Sequence, residues 1–115
     1  IIETEGPVDF CAWAGPRSWA WEAKATANSR WSFGDLQPHQ ARRLTTWLRP
    51  DAKRRAGIAL RYDLDDVQTD LWLDWEHVVL LWSRWATNQA GRGDASLHID
   101  DAVAMGVEWN SEVFR

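Results

Sequence analysis

Two short runs near the start of the chain, rich in apolar and aromatic residues, look like β-strands. Strand side chains point alternately to the two faces of a sheet, so each run can bury one face. The segments run from Val8 to Trp13 and from Ser18 to Ala25, and Gly and Pro lie at the middle of the four residues Ala14–Arg17 between them. Turn-forming residues between two short strands predict an antiparallel hairpin.

The register of this hairpin brings acidic residues together. If Trp13 pairs with Ser18 across the loop, counting back along the ladder places Asp9 directly opposite Glu22. Opposed residues lie on one face with their Cβ atoms about 4.5 to 5.5 Å apart. Lys24 shares that face because strand side chains alternate. The sequence therefore predicts two carboxylates and an ammonium group at one point of the hairpin.

A helix-like period of apolar residues follows from Gln37 to Arg49. We expect it to open at Asp35 or Leu36 and to end before Pro50. The apolar stripe consists of Ala41, Leu44, Trp47 and Leu48. Gln40 lies one turn before Leu44 on the same side, so we expect it to face the sheet and to reach the first two strands.

The second half of the chain continues the α/β pattern. The predicted elements are strands at Gly57–Tyr62 and Val67–Leu73 around a turn at Asp63–Asp66, a helix from Asp74 to about Trp85, a flexible loop at Gln89–Ser96 and a short helix from Asp100 to Gly106. We therefore expect an α/β fold in which a mixed central sheet of four strands is flanked by helices.

Composition indicates a single globular domain over residues 1–115. The chain is 45% hydrophobic, and no apolar run reaches the length of a membrane span. Its one cysteine cannot form an internal disulfide, and no secretory signal is recognisable. We expect a cytoplasmic protein without a membrane partner. Because Ile1 is not a methionine, we also expect residues to be missing upstream.

The converging charges of the hairpin are typical of a metal-dependent nuclease centre. Asp9 and Glu22 offer hard oxygen ligands suited to Mg²⁺, with Mn²⁺ as a substitute, and the backbone carbonyl of Ala23 adds a third. Lys24 would orient a water molecule or stabilise the transition state of phosphodiester hydrolysis. The spacing alone also fits the solvated face of an ordinary hairpin.

Charge distribution bears on DNA binding. The net charge of −4 opposes nonspecific affinity for phosphates, but basic residues crowd one segment of the chain. Its members are Arg42, Arg43, Arg49, Lys53, Arg54 and Arg55. This segment forms either a DNA-binding patch or a solvated helix face and loop. In the polar loop after the second strand, we expect Arg30 to contact DNA and Trp31 to stack on an unpaired base.

The chain contains the motifs Pro7-Val8-Asp9, Trp21-Glu22-Ala23-Lys24 and Phe33-Gly34-Asp35-Leu36-Gln37-Pro38-His39-Gln40, followed by Gly57-Ile58-Ala59-Leu60 and, more faintly, Ile99-Asp100-Asp101. Together they resemble the RecU family of Holliday junction resolvases, members of the PD-(D/E)xK nuclease superfamily. Their order and spacing match the family over roughly Gly6 to Gly106. Val8 departs from the family's usual hydroxyl residue, and the family's N-terminal arm, first helix and stalk have no counterpart before Ile1.

The resemblance implies a restriction-endonuclease-like core and a homodimer that resolves branched DNA in recombination and repair. Asp9 and Glu22 would be metal ligands, Lys24 the catalytic lysine and Gln40 the helix glutamine near the site. Two alternatives remain open. They are another DNA nuclease of this fold and a catalytically inactive module that binds DNA or protein, since one fold hosts many functions.

Overall fold

A computed structural model describes residues 2–3, 10–14, 17–48, 53–87 and 95–109, with side chains from residue 17 onward. In chain order the elements are β1 (Ile2–Glu3), β2 (Phe10–Ala14), β3 (Arg17–Thr26), β4 (Arg30–Ser32), α1 (Pro38–Leu48), β5 (Arg54–Leu64), β6 (Val67–Asp74), α2 (Trp75–Ala86), β7 (Ser96–His98), α3 (Ile99–Met105) and β8 (Val107–Glu108). A short 3-10 turn, Phe33–Asp35, precedes α1. The expected mixed α/β class is confirmed.

The central sheet has the strand order β1-β2-β3-β5-β6-β8. Strands β3 and β5 run parallel, joined by the crossover through α1, and the other neighbours in the sheet are antiparallel. The four expected strands are all present as β2, β3, β5 and β6. The short strands β1 and β8 extend the sheet, and β4 pairs with β7 separately. These additions have two or three residues each, too few to show a periodic pattern.

The predicted register of the first hairpin is confirmed where the structure describes it. Trp13 pairs with Ser18, and the ladder continues back to Phe10 opposite Trp21. Asp9, the next residue toward the N-terminus, lies outside the described residues. Glu22 is the next position of β3 after Trp21, and it also pairs with Ile58 of the parallel strand β5.

The two faces of the sheet are covered differently. All three helices contribute to the core on one face, where alternate residues of β5 and β6 are buried. This core includes Ile58, Leu60, Tyr62, Leu71 and Leu73 from the sheet and Ala41, Leu44, Trp75, Val78 and Ala102 from the helices. On the other face, Trp19, Trp21 and Trp72 form a second buried cluster, against which Trp109 packs. We call these the helix face and the tryptophan face.

The hairpin between β5 and β6 turns through only two residues. Asp65 and Asp66 have φ angles of 46° and 65°. Positive φ at both central residues matches the right-handed twist of the flanking strands, and aspartate tolerates this conformation better than most residues. Along the same hairpin, Arg61 donates a hydrogen bond of 2.7 Å from Nε to Asp70 Oδ1. This bond holds the pKa of Asp70 below its ordinary value.

Two of the predicted helix starts need correction. Helix α1 begins at Pro38, because Asp35 ends the preceding 3-10 turn and Leu36 is extended. Helix α3 begins at Ile99 and is capped by His98, whose Nδ1 accepts from the Asp100 N–H at 3.1 Å. At both helix starts a side chain accepts from a backbone N–H, Gln40 from Gln37 and His98 from Asp100.

The start of α2 is confirmed at Asp74, although its carboxylate does not cap the helix. It accepts instead from the Trp72 indole N–H at 2.9 Å. In the expected loop Gln89–Ser96, Ser96 begins β7, and residues 88–94 lie outside the described part of the chain. None of the described helices is both long and apolar enough to cross a membrane.

Candidate functional site

Glu22 is buried on the helix face of β3. Its side chain is 1% exposed, and it is the one buried charged residue in the part of the chain that the structure describes. Ala20 precedes it on the same face, and Ile58 is its neighbour on β5; both are fully buried. An ordinary solvated hairpin face would leave this carboxylate in water, so the burial favours a specific role for Glu22.

Lys24 and Gln40 converge on Glu22. Gln40 on α1 donates from Nε2 to Glu22 Oε2 at 3.4 Å, and its Oε1 accepts from Lys24 Nζ at 3.2 Å. Lys24 Nζ also donates to the backbone oxygen of Asp35 at 2.9 Å. The expected approach of Gln40 to the strands is therefore observed. One amide bridges the carboxylate and the ammonium group.

The position of Gln40 follows from the way α1 begins. Pro38 is the first helical residue, where its missing N–H and fixed φ are favourable. Gln40 lies two residues later, and its Oε1 accepts from the Gln37 N–H at 2.9 Å. This is the side chain to backbone half of a capping box. The contacts that start the helix therefore also hold the amide beside Glu22 and Lys24.

Trp31 supports this centre from within the fold. Its side chain is 1% exposed and packs edge-on against Phe33. Its Nε1 donates a hydrogen bond to Asp35 Oδ2 at 3.0 Å. This bond holds Asp35 in place, and the backbone oxygen of Asp35 accepts from Lys24. The expectation of an exposed Trp31 that stacks on a base is wrong, because Trp31 lies on β4 and its ring enters the core.

The predicted basic residues lie on more than one surface. Arg42 and Arg43 are exposed on α1, and Arg54 lies near them at the start of β5. Arg54 shares the helix face with Glu22, since Arg54 pairs with Ser18, four residues before Glu22 on β3. Arg55, one residue further along, is opposite Trp19 and so belongs to the tryptophan face. Alternation along β5 separates these two arginines.

Lys53 and Arg30 lie apart from that arrangement. Lys53 is exposed just before β5, and its backbone oxygen accepts from the Ser18 N–H at 3.3 Å. Arg30 is exposed on β4 and donates to Ser96 Oγ at 3.4 Å across the small sheet. Their contacts with DNA stay predictions.

Among the expected metal ligands, the structure describes Glu22 and Ala23. Ala23 lies between Glu22 and Lys24 on β3, and its exposed side chain is on the tryptophan face. Asp9 falls outside the described residues. Within the described ranges no group of three or more His, Cys, Asp or Glu side chains comes together. Of the predicted metal ligands, the structure thus describes the buried carboxylate of Glu22 and the carbonyl of Ala23.

Sequence reasoning missed the role of Asp35, whose carbonyl oxygen accepts from Lys24. Every residue has such an oxygen, so no sequence signal marks it. It also missed His39, Thr46 and Trp47, which line one surface with Arg42 and Arg43. The spacing of three and four residues among these positions is a signal that could have found them.

Comparison with protein-family models found no match to this chain, and comparison with curated proteins found none either.

Proposed function

We propose that this protein is a Mg²⁺-dependent endonuclease with a restriction-endonuclease-like core that cleaves branched DNA by phosphodiester hydrolysis. The observation that carries the proposal is the buried Glu22 carboxylate, joined to Lys24 through the Gln40 amide. The branched substrate, and a cytoplasmic place in recombination and repair, rest on the resemblance to RecU-type resolvases.

Burial of Glu22 is costly for the fold. Burying a carboxylate away from water costs several kcal/mol unless polar partners replace its hydration. Leaving even one hydrogen-bonding group unsatisfied costs about 1 to 3 kcal/mol. An apolar side chain would fill the same space between Ala20 and Ile58 without this cost. A buried, hydrogen-bonded carboxylate beside a lysine is therefore better explained by chemistry than by packing.

The residues present are compatible with a small, hard cation. Mg²⁺ commonly binds through one or two carboxylates, retains several waters and uses substrate phosphate oxygens as further ligands. Glu22 and the Ala23 carbonyl would hold it together with Asp9, which immediately precedes Phe10 in the sequence. When bound, the metal would lower the pKa of a water molecule and neutralise charge that develops on the phosphate.

Lys24 is suited to contact the phosphate. An ammonium group has three N–H donors. Two donate to the oxygens of Asp35 and Gln40, and the third has no acceptor among the described residues. The side chain is thus oriented by the fold, and within the described ranges one donor remains for a phosphate oxygen. Gln40 is a positioning residue, because it holds Lys24 and Glu22 in a fixed relation without needing to touch substrate.

The test replaces Glu22 by glutamine. Glu22→Gln keeps the volume and the acceptor for Gln40 but removes the charge, whereas alanine at this buried position would also create a cavity. We expect the variant to fold with the stability of the unaltered protein or greater, and to lose saturable Mn²⁺ binding in calorimetry. Cleavage of a labelled four-way junction in Mg²⁺ should fall on the order of 10²-fold or more. Linear duplex, flap and single strand are compared with and without chelator.

Glu76→Gln is the matched control, since Glu76 is an exposed glutamate in the first turn of α2. It should leave metal binding and cleavage unchanged. Full activity of Glu22→Gln would contradict the proposal. Metal-dependent cleavage of duplex or flap in preference to the junction would indicate another nuclease of this fold, and DNA binding without cleavage would indicate an inactive module.

A further inference from the structure

A basic groove runs along one side of α1. Its volume is about 610 Å³. The lining residues are His39, Arg42, Arg43, Thr46 and Trp47 of α1 and Arg54 of β5. Among the described residues, three arginines and no carboxylate form this lining, although acidic residues outnumber basic ones in the chain as a whole, 17 to 13. The basic groove therefore differs in charge from the average surface of the protein.

Helical geometry explains why the groove lies on the open side of α1. Ala41 and Leu44 face the sheet and are buried. Thr45 faces α2, where its Oγ1 accepts from the Trp75 indole N–H at 2.9 Å. Arg43 and Trp47, four residues apart, consequently share the side of α1 that lies opposite Thr45. Helix α2 packs on β5 and β6, whereas α1 packs on β5 and β3, so this side of α1 is turned away from α2.

Aromatic and basic side chains are organised within the basic groove. The Arg54 guanidinium lies 4.8 Å from the centroid of the Trp47 ring, a cation–π arrangement. The contact holds Arg54 near the helix at the far end of the groove. Arginine is suited to phosphate because its planar group presents paired N–H donors to two oxygens. The groove thus offers donors from three arginines, two of them consecutive on α1 and one on β5.

The basic groove begins beside the candidate catalytic centre. His39 directly precedes Gln40, whose amide contacts Glu22 and Lys24. From His39 to Trp47 the helix rises about 12 Å, at 1.5 Å per residue. This length matches about three to four phosphates of one DNA strand, which follow each other at about 3.4 Å along the duplex axis.

We propose that the basic groove binds the sugar-phosphate backbone of one DNA strand, on the phosphates that adjoin the one cleaved at Glu22 and Lys24. This inference rests on the proposed nuclease function for the identity of the polyanion. The three arginines Arg42, Arg43 and Arg54 neutralise phosphates of that strand without reading the bases. Binding through this surface is therefore insensitive to sequence and sensitive to salt.

The experiment measures binding of fluorescent four-way junction and duplex DNA to the full chain by anisotropy, in EDTA, across a range of salt concentrations. The variant Arg42→Gln/Arg43→Gln/Arg54→Gln is compared with Arg84→Gln, which changes one exposed arginine of α2. Each phosphate contact contributes about 0.9 to the slope of log affinity against log salt, so the triple variant should lower the slope by about 2 to 3. At low salt its affinity should fall on the order of 100-fold. Arg84→Gln should change the slope by less than about 1.

A triple Arg→Lys variant keeps the charges and should retain the slope, which separates a charge effect from a loss of folding. Thermal unfolding is measured for every variant, and Arg42→Gln and Arg43→Gln are tested singly because both side chains are exposed. An unchanged slope in the folded triple or single variants, or no DNA binding by the unaltered chain at low salt, would overturn the assignment of the groove.

DNA binding is measured in EDTA and cleavage in Mg²⁺, so this proposal and the nuclease proposal can fail separately. If the groove variants lose DNA binding but the unaltered chain does not cleave in Mg²⁺, the groove stands and the nuclease function fails. If the unaltered chain cleaves DNA and the groove variants bind it normally, the nuclease function stands and the groove fails.

Discussion

At the residue scale, Gln40 connects secondary structure with the candidate chemistry. Its oxygen accepts from the Gln37 N–H at the start of α1 and from Lys24, while its nitrogen donates to Glu22. A shift of the helix start would therefore move the amide away from both charged groups. The position of one side chain thus links the beginning of α1 to the relation between the carboxylate and the ammonium group.

Lys24→Ala should slow the chemical step far more than it weakens DNA binding. The ammonium acts on one phosphate, whereas the binding surface contacts several. We expect the single-turnover rate at saturating junction DNA to fall on the order of 10² to 10³-fold. The dissociation constant should change by less than about tenfold, the effect of 1.4 kcal/mol. Loss of affinity with an unchanged rate at saturation would make Lys24 a DNA-positioning residue instead.

At the element scale, the close approach of β5 and β6 depends on a glycine. A Cβ at Gly57 would overlap the ring of Trp72 and would lie 2.6 Å from the backbone oxygen of Leu73. The absence of a side chain lets the Trp72 ring lie against β5. Trp72 can then make edge contacts with Trp19 at 5.5 Å and stack on Trp109 at 5.4 Å between ring centroids. The tryptophan face is thus built around this glycine.

Gly57→Ala should destabilise the protein by about 1 to 3 kcal/mol, the usual cost of overpacking. The backbone oxygen cannot move without distorting the ladder between β5 and β6. The measurement is urea unfolding followed by tryptophan fluorescence. Gly34→Ala is the control, because a Cβ there would lie 3.6 Å from Ser32 Oγ, an ordinary contact. The control should stay within about 0.5 kcal/mol. Equal effects of the two substitutions would contradict this account of Gly57.

At the scale of the whole molecule, the tryptophans explain the fold better than they explain assembly. An excess of large apolar side chains among Trp72, Trp75, Trp82, Trp85 and Trp109 would supply a dimer interface only if these rings were exposed. Trp72 and Trp75 are buried within the protomer, so they offer no exposed ring to an interface. Trp82, Trp85 and Trp109 are partly buried. The dimer stays a prediction that rests on the resemblance and on the need for two symmetric nicks.

We expect two copies of the chain to bind one four-way junction, because a single metal centre cuts one strand at a time. Sedimentation with and without junction DNA should show a dimer at micromolar concentration, and product analysis should show paired nicks in opposing strands. If the chain stays monomeric on the junction and nicks one strand per encounter, the resolvase assignment is contradicted and a simpler nuclease is indicated.

The sequence by itself determined the elements whose patterns are long. Runs of strand-forming residues bounded by turn residues predicted β2, β3, β5 and β6, the apolar stripe predicted α1, and the turn residues implied the pairing of Trp13 with Ser18. These features follow from local periodicity and turn chemistry, which need no knowledge of distant parts of the chain. The convergence of Gln40 on β3 was also predictable, since its position relative to Leu44 sets its direction on the helix.

Only the tertiary structure decided which polar groups are buried and which basic residues lie together. Glu22 is enclosed because α1 crosses over β3 and β5, and Trp31 is enclosed because β4 pairs with β7. Arg54 and Arg55 look equivalent in sequence, yet strand alternation places them on opposite faces once the direction of β5 is set. Burial and proximity of this kind arise from contacts between residues far apart in the chain, for which local sequence has no signal.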